Sequence, residues 1–309
     1  MQQNQQHASL WPNKAARLKL FGSIPSVSGE KPVEAEGMHD LQNVQHDFLF
    51  ALDQVGIGNL RYPLIVHSTL LPSTMTTSAR FRLTTSLSQQ SRGINMSRLT
   101  EQLELARQNG LSDRLDDLTT LTQNLARHMQ QKQAELEVEY DWYYERQAPR
   151  SGRLGLNHAI ARLELNHTMA SALHVKATLE VQITTLCPCS RDISEYSAHN
   201  QRGRLTIEII PANGLLPDDW KERLLEVAES NASSIPYPVL KRPDEKHITE
   251  QAYENARFVE DMLRLSAADL YEIEWISSFQ IQCRNEESIH QHDAVGSITY
   301  SRTSAYSME

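Results

Sequence analysis

Cys187 and His199 are the side chains of this chain best suited to hold a metal ion. Cys187 lies in Thr184-Thr185-Leu186-Cys187-Pro188-Cys189-Ser190-Arg191, and His199 follows twelve positions later in Ala198-His199-Asn200-Gln201-Arg202. Thiolate and imidazole are the donors that zinc and similar borderline ions take most readily. The pair falls where a long alternating strand runs out into a loop, a rigid platform for two ligands. Read alone, it has a second meaning: a buried cysteine is a small hydrophobe, and many loop histidines have no task. The pattern is neither the His-x-Glu with Pro-Cys-x-x-Cys of nucleic-acid deaminases nor a Cys-x-x-Cys pair. Cys189 is either a further ligand or a pocket-lining residue two places along an extended segment.

Three more clusters carry chemistry. Tyr237-Pro238-Val239-Leu240-Lys241-Arg242-Pro243-Asp244-Glu245-Lys246 reads as a proline-braced loop with acids and bases together. It is a solvated connector or a fixed carrier of ligands. Glu286-Glu287-Ser288-Ile289-His290-Gln291-His292-Asp293 reads as a strand with both histidines on one side, since i and i+2 share a face. Its choices are an exposed polar hairpin end or proton transfer near neutral pH. Glu260, in Phe258-Val259-Glu260-Asp261-Met262, points to solvent or accepts hydrogen bonds from a ligand; the helical pattern favours solvent.

These residues need elements to position them. Leu173, Val175, Ala177, Leu179, Val181 and Ile183 alternate with His174, Lys176, Thr178, Glu180, Gln182 and Thr184, the cleanest strand signal in the chain. A strand over Leu205–Ile209 follows, then a helix from Trp220 to near Asn231 and another that Asn255 would cap. A long strand from Tyr271 to Cys283 and a last one from Ile289 to Tyr300 complete this half. The first half has the same order. Arg61–Val66 and Phe81–Leu87 are strands; helices capped by Ser97 and Ser112 follow, the first stopping at Gly110. Alternation over Leu136–Tyr144 and a return through Leu154–Leu165 give two more strands. Strand, strand, helix, helix, strand, strand therefore occurs twice. The expected class is α+β: two units, each an antiparallel four-stranded sheet with its helix pair on one face, spanning 46–166 and 167–309. Residues 1–45, rich in Gln, Ser, Pro and Glu without sustained period, read as a mobile tail. Half-covered sheets must bury their other side or pair their edges, so several copies are expected to assemble.

Composition excludes other classes. A net charge of −9 opposes an anionic partner, so neither nucleic acid nor a membrane surface is expected. No apolar run approaches the ~20 residues of a spanning helix. Three cysteines, two of them two residues apart, make no disulfide framework and point to a reducing cytoplasm. The first residues lack the basic and apolar segments of a signal peptide.

With these clusters in hand, the chain resembles the type IB GTP cyclohydrolase I family, the metal-flexible branch distinct from type IA. The resemblance rests on Thr185-Leu186-Cys187-Pro188-Cys189-Ser190 with Ala198-His199-Asn200-Gln201-Arg202, and on Arg242-Pro243-Asp244-Glu245-Lys246. Ala252-Tyr253-Glu254-Asn255, Phe258-Val259-Glu260-Asp261-Met262 and Glu287-Ser288-Ile289-His290-Gln291-His292-Asp293-Ala294 extend it. Val55-Gly56-Ile57, Leu60-Arg61-Tyr62-Pro63 and Met96-Ser97-Arg98 match in the first half, giving coverage from about residue 46 to the end. The resemblance implies tandem tunnelling-fold units in a homotetramer with active sites between subunits. It implies conversion of GTP and water to 7,8-dihydroneopterin triphosphate and formate. It places Cys187, His199 and Glu245 on one divalent ion (Zn²⁺, Mn²⁺ or Fe²⁺) with no organic cofactor, and Glu260 on the guanine. His290 and His292 fall in the catalytic motif, with Glu287 beside them and Cys189 as a further candidate. The triphosphate would meet Arg202, Lys241, Arg242 and Lys246, with Arg98 from a neighbouring copy. Val295-Gly296 departs from the Tyr-Ala expected after the histidines, and a difference in packing on the substrate side is expected there. Two rivals remain: a nitrile reductase of the same fold using NADPH, which lacks its lysine motif here, and a scaffold with a structural metal.

Overall fold

The computed structural model describes residues 11–26, 28–29, 31–168 and 173–302. Eight strands form one antiparallel sheet in chain order: β1 (Leu52–His67), β2 (Thr74–Leu87), β3 (Gln133–Gln147), β4 (Leu154–Thr168), β5 (His174–Leu186), β6 (Asn200–Pro211), β7 (Ile276–Asn285) and β8 (Ala294–Ser301). α1 (Lys14–Leu20) precedes the sheet. α2 (Met96–Gln108) and α3 (Leu115–Met129) lie between β2 and β3, and the short α4 (Pro188–Ile193) between β5 and β6. α5 (Trp220–Asn231), α6 (Arg242–Glu254) and α7 (Val259–Glu272) lie between β6 and β7. The doubled order of strands is as the sequence indicates, and so is the first helix pair; the second half adds α4 between its first two strands and α6 between its two expected helices. The strands of the two halves are joined edge to edge in one sheet, with β4 pairing β5 from Ile160↔Glu180 to Asn166↔His174.

The alternation explains the layering. Leu136, Val138, Tyr140 and Trp142 of β3 and Val181 and Ile183 of β5 are buried against Leu99, Leu125, Leu224 and Met262 of the helices, in one core spanning both halves. The intervening residues form rows of ion pairs on the opposite face, among them Arg80–Glu139, Lys176–Glu164 and Arg204–Glu180. Polar bridges add to the joint: buried Lys221 pairs with Asp113, which also accepts from Tyr140 Oη at 3.0 Å, and Glu222 accepts from Ser68 Oγ at 2.7 Å. The division expected after residue 166 falls inside the last residues of β4.

Several element ends differ from expectation. Asn95, not Ser97, precedes α2, and Gly110 follows it with φ +85°, a conformation glycine adopts without strain. Ser112 sits two residues before the N-cap of α3, where its hydroxyl accepts from Arg114 N–H and donates to Asp117. Arg242 to Lys246, expected as part of a loop, open the helix Arg242–Glu254, with Pro243 in the first turn, where its missing N–H costs nothing. Asn255 closes α6 rather than opening α7. The strand expected from Tyr271 begins only at Ile276, since Tyr271 still belongs to α7. The segment expected as a mobile tail contains α1, and Trp11 stacks on Phe50 at 4.9 Å; residues 1–10 lie outside the described residues. Among the described residues, no helix is long and apolar enough to cross a membrane.

Candidate active site

The end of β5 and the start of β6 hold the first two donors together. Cys187 N–H donates to the His199 carbonyl at 3.1 Å, continuing the ladder that pairs Leu186 with Asn200. Cys187 caps α4, and its Sγ accepts from Ser190 N–H at 3.4 Å. Ser190 Oγ accepts from His199 N–H at 3.2 Å, so the short helix also steadies the histidine. The His199 ring is mostly buried, with Nδ1 2.9 Å from Gln201 Oε1 and 3.8 Å from Glu287 Oε2. Cys189 is exposed in the first turn of α4. Extended spacing would have put it on the same side as Cys187; the helical turn breaks that relation.

Two other motifs converge on this corner. Glu286 N–H donates to the Arg202 carbonyl at 2.9 Å, which brings the segment after β7 over the start of β6. His290 and His292 are not on a strand as expected: residues 286–293 form a connection, and β8 starts at Ala294. Their rings nevertheless stack, with centroids 4.8 Å apart and 17° between planes. Arg257 N–H donates to the Leu186 carbonyl at 2.9 Å, which fixes the approach to α7, and exposed Glu260 lies in its first turn. Leu186 also packs against Ala252 and Ala256 at the end of α6.

Glu245, Lys241, Arg242 and Lys246 occupy the opposite end of α6. Ala252 is seven residues past Glu245, about 10 Å along the helix axis. Buried Asp244 anchors this end, accepting N–H bonds from Arg150, Ser151 and Lys241 at 2.8 Å each. Burial pushes its carboxyl up, but hydrogen bonds from Ser151 and from the Lys241 and Arg150 backbone outweigh that and hold it well below the usual carboxylate range. Arg150, which the sequence reading missed, is placed 3.2 Å from His247 Nδ1 by this anchor. Lys246 pairs with Glu250 at 3.5 Å, and Arg202 is exposed on β6.

Within one chain the expected donor set is thus partly assembled. Cys187 and His199 meet, with Glu287 beside the histidine; among the described residues, no three Cys, His, Asp or Glu side chains are gathered closely enough to hold one ion. The chemistry of the pair fits a divalent ion: a cysteine sulfur and an imidazole sit on adjoining strand ends, and the imidazole's Nδ1 is held by an amide oxygen. Arg98 lies elsewhere, in a first-half cavity of about 620 Å³ lined also by Gln42, Asn95 and Lys132.

Residues 38–296 match the family model described as type I GTP cyclohydrolase folE2. The chain belongs to this family. GTP cyclohydrolase FolE2 of Halalkalibacterium halodurans is 54% identical over 295 residues, covering 94% of this chain and 98% of that protein. The namesake of Bacillus subtilis is 48% identical over 296 residues, covering 95% and 97%. This coverage reaches well before residue 46, so the early segment, set outside the resemblance by sequence reading, is in large part shared with FolE2 relatives. Uricase from Arthrobacter globiformis is similar in fold, with a TM-score of 0.52 at 7% identity over 81% of this chain and 94% of that one.

Gly296 is a point of close approach between β8 and α7. A Cβ built there would lie 2.7 Å from Leu263 Cδ1 and 2.9 Å from Val259 Cγ1. The absent side chain lets β8 approach the first turns of α7, which carry Glu260.

Proposed function

We propose that the chain is a GTP cyclohydrolase I of the metal-flexible type IB branch, converting GTP and water to 7,8-dihydroneopterin triphosphate and formate at the head of tetrahydrofolate synthesis. The observation that carries this reading is the meeting of Cys187 with His199 beneath the segment that bears Glu287, His290 and His292, in a chain of this family. Near-complete overlap with relatives named GTP cyclohydrolase supports it over the nitrile reductase and the inert scaffold.

In this reading Cys187, His199 and Glu245 hold a divalent ion, Zn²⁺, Mn²⁺ or Fe²⁺, with no organic cofactor. Such an ion supplies Lewis-acid activation of water near neutral pH. The protein does the rest. Glu260 accepts hydrogen bonds from the guanine exocyclic amine and ring N–H, fixing C8 near the attacking water. His290 and His292 give protons to the ring nitrogens as the imidazole opens and formate leaves, with Glu287 and Cys189 as neighbours. Arg202, Lys241, Arg242 and Lys246 meet the triphosphate.

A homotetramer of tandem tunnelling-fold units, divided near residue 166, completes the reading. Among the described residues, the outer strands β1 and β8 have one neighbour each, and open edges invite pairing. Ile193, Tyr196 and Ile289 stand 82%, 91% and 63% exposed around the site, a surface suited to a second copy. That copy would bring the missing groups, Arg98 among them. All three cysteines are free, in keeping with a cytoplasmic enzyme.

A Cys187→Ala variant tests the assignment. It is expected to fold, lose bound metal and lose dihydroneopterin triphosphate formation together. Full turnover with normal metal content would contradict it.

A further inference from the structure

Gln201 lies in the Ala198–Arg202 motif with no role of its own assigned from sequence, yet it makes the shortest polar contact of the His199 ring. It is 6% exposed, on β6 directly across from buried Thr185 of β5. Its Oε1 stands 2.9 Å from His199 Nδ1, and its Nε2 donates to Thr185 Oγ1 at 3.0 Å. With the amide so turned, the oxygen facing the ring can only accept, so Nδ1 must carry the ring proton. The lone pair is then left on Nε2. Glu287 is the competing acceptor, but at 3.8 Å it is beyond hydrogen-bond reach.

We propose that Gln201 is a positioning residue: its side-chain oxygen, oriented by the Thr185 hydroxyl, selects the Nδ1–H form of His199 and presents Nε2 as the metal-binding nitrogen. This rests on the reading of His199 as a metal ligand. A neutral imidazole binds through one nitrogen only, so the residue that holds the other decides which is offered and how the ring is turned. The backbone supports the same arrangement, because Ser190 and Cys187 hold His199 N–H and C=O. A role confined to strand stability would require no acceptor at this position.

The test is Zn²⁺ affinity of the full chain, measured by competition with a chromophoric chelator, with circular dichroism as the check on folding. Gln201→Leu is expected to weaken Zn²⁺ about 10–100-fold, the usual cost of losing such a partner. Gln201→Glu keeps an acceptor and is expected to stay within a few-fold of the parent. Thr185→Val, which frees the amide to turn, should fall between them. Unchanged affinity in Gln201→Leu, or a loss in Gln201→Glu as large as in Gln201→Leu, would overturn the assignment. If Gln201→Leu does not fold, Thr185→Val decides: unchanged affinity there overturns it. His199→Ala is run alongside. Normal Zn²⁺ binding in that variant removes the histidine from the site, and the failure then belongs to the ligand reading itself.

Discussion

At the scale of single residues, the three cysteines divide by environment. Cys189 is exposed, Cys187 half-buried, and Cys283 buried on β7 with its S–H directed at Asn285 Oδ1 at 3.7 Å. Burial pushes the Cys283 thiol up to about 12 from an ordinary 9.0. Two thiols of the metal-free protein should therefore react with a thiol reagent at pH 8, and the third only after denaturation. Three fast thiols in the folded protein would contradict this. The sign for stability follows: a raised folded value means the contribution is complete below about pH 9 and is lost as pH rises towards 12. The Cys187–His199 pair was legible because both residues belong to compact motifs beside a strongly alternating strand. Gln201 stands two positions after His199, the spacing that puts residues on one side of an extended segment, but a glutamine carries no metal signal of its own. Asp244 and Arg150 were hidden because their contact joins residues 94 positions apart.

At the scale of elements, periodicity read the strands better than the helices. β3 and β5 declared themselves because each buries one face only, and their polar faces carry paired charges. α4 has six residues, too few for a 3.6-residue period to register, which is why the segment holding Cys189 read as extended. α6 was masked by its proline, a residue that reads as loop chemistry but also suits a first turn. Gly296 shows how an element's seat reaches the site. Gly296→Ala would push β8 away from Val259 and Leu263, or force the tip of Leu263 to rotate. The expected outcome is a several-fold higher KM for GTP, a smaller change in kcat and little loss of Tm, because the flexible side chain yields while the turn bearing Glu260 shifts. An unchanged KM would show that this close approach does not set the position of α7.

At the scale of the whole molecule, the two halves work as one body. The sheet runs unbroken through the β4–β5 pair, a single core spans both halves, and the buried Lys221–Asp113 pair joins α5 to the loop before α3. Breaking a buried pair from one side leaves a charge without compensation, so this contact resists separation of the halves. Neither the joined sheet nor the pair was visible in the sequence. Strand pairing between halves depends on edges that carry no residue pattern of their own, and the two charges lie 108 positions apart. The doubled element order was visible, since it needs only local periodicity. What the joined frame achieves is a fixed corner where the ends of β5 and β7 and the start of α7 meet. The most direct test of the account is turnover of GTP by chelated protein resupplied separately with Mn²⁺, Zn²⁺ and Mg²⁺. Equimolar formate and dihydroneopterin triphosphate are expected, restored by Mn²⁺ or Zn²⁺ and far less by Mg²⁺, whose preference for oxygen donors suits a thiolate and an imidazole poorly. Absence of both products with every ion, from folded and assembled protein, would contradict it.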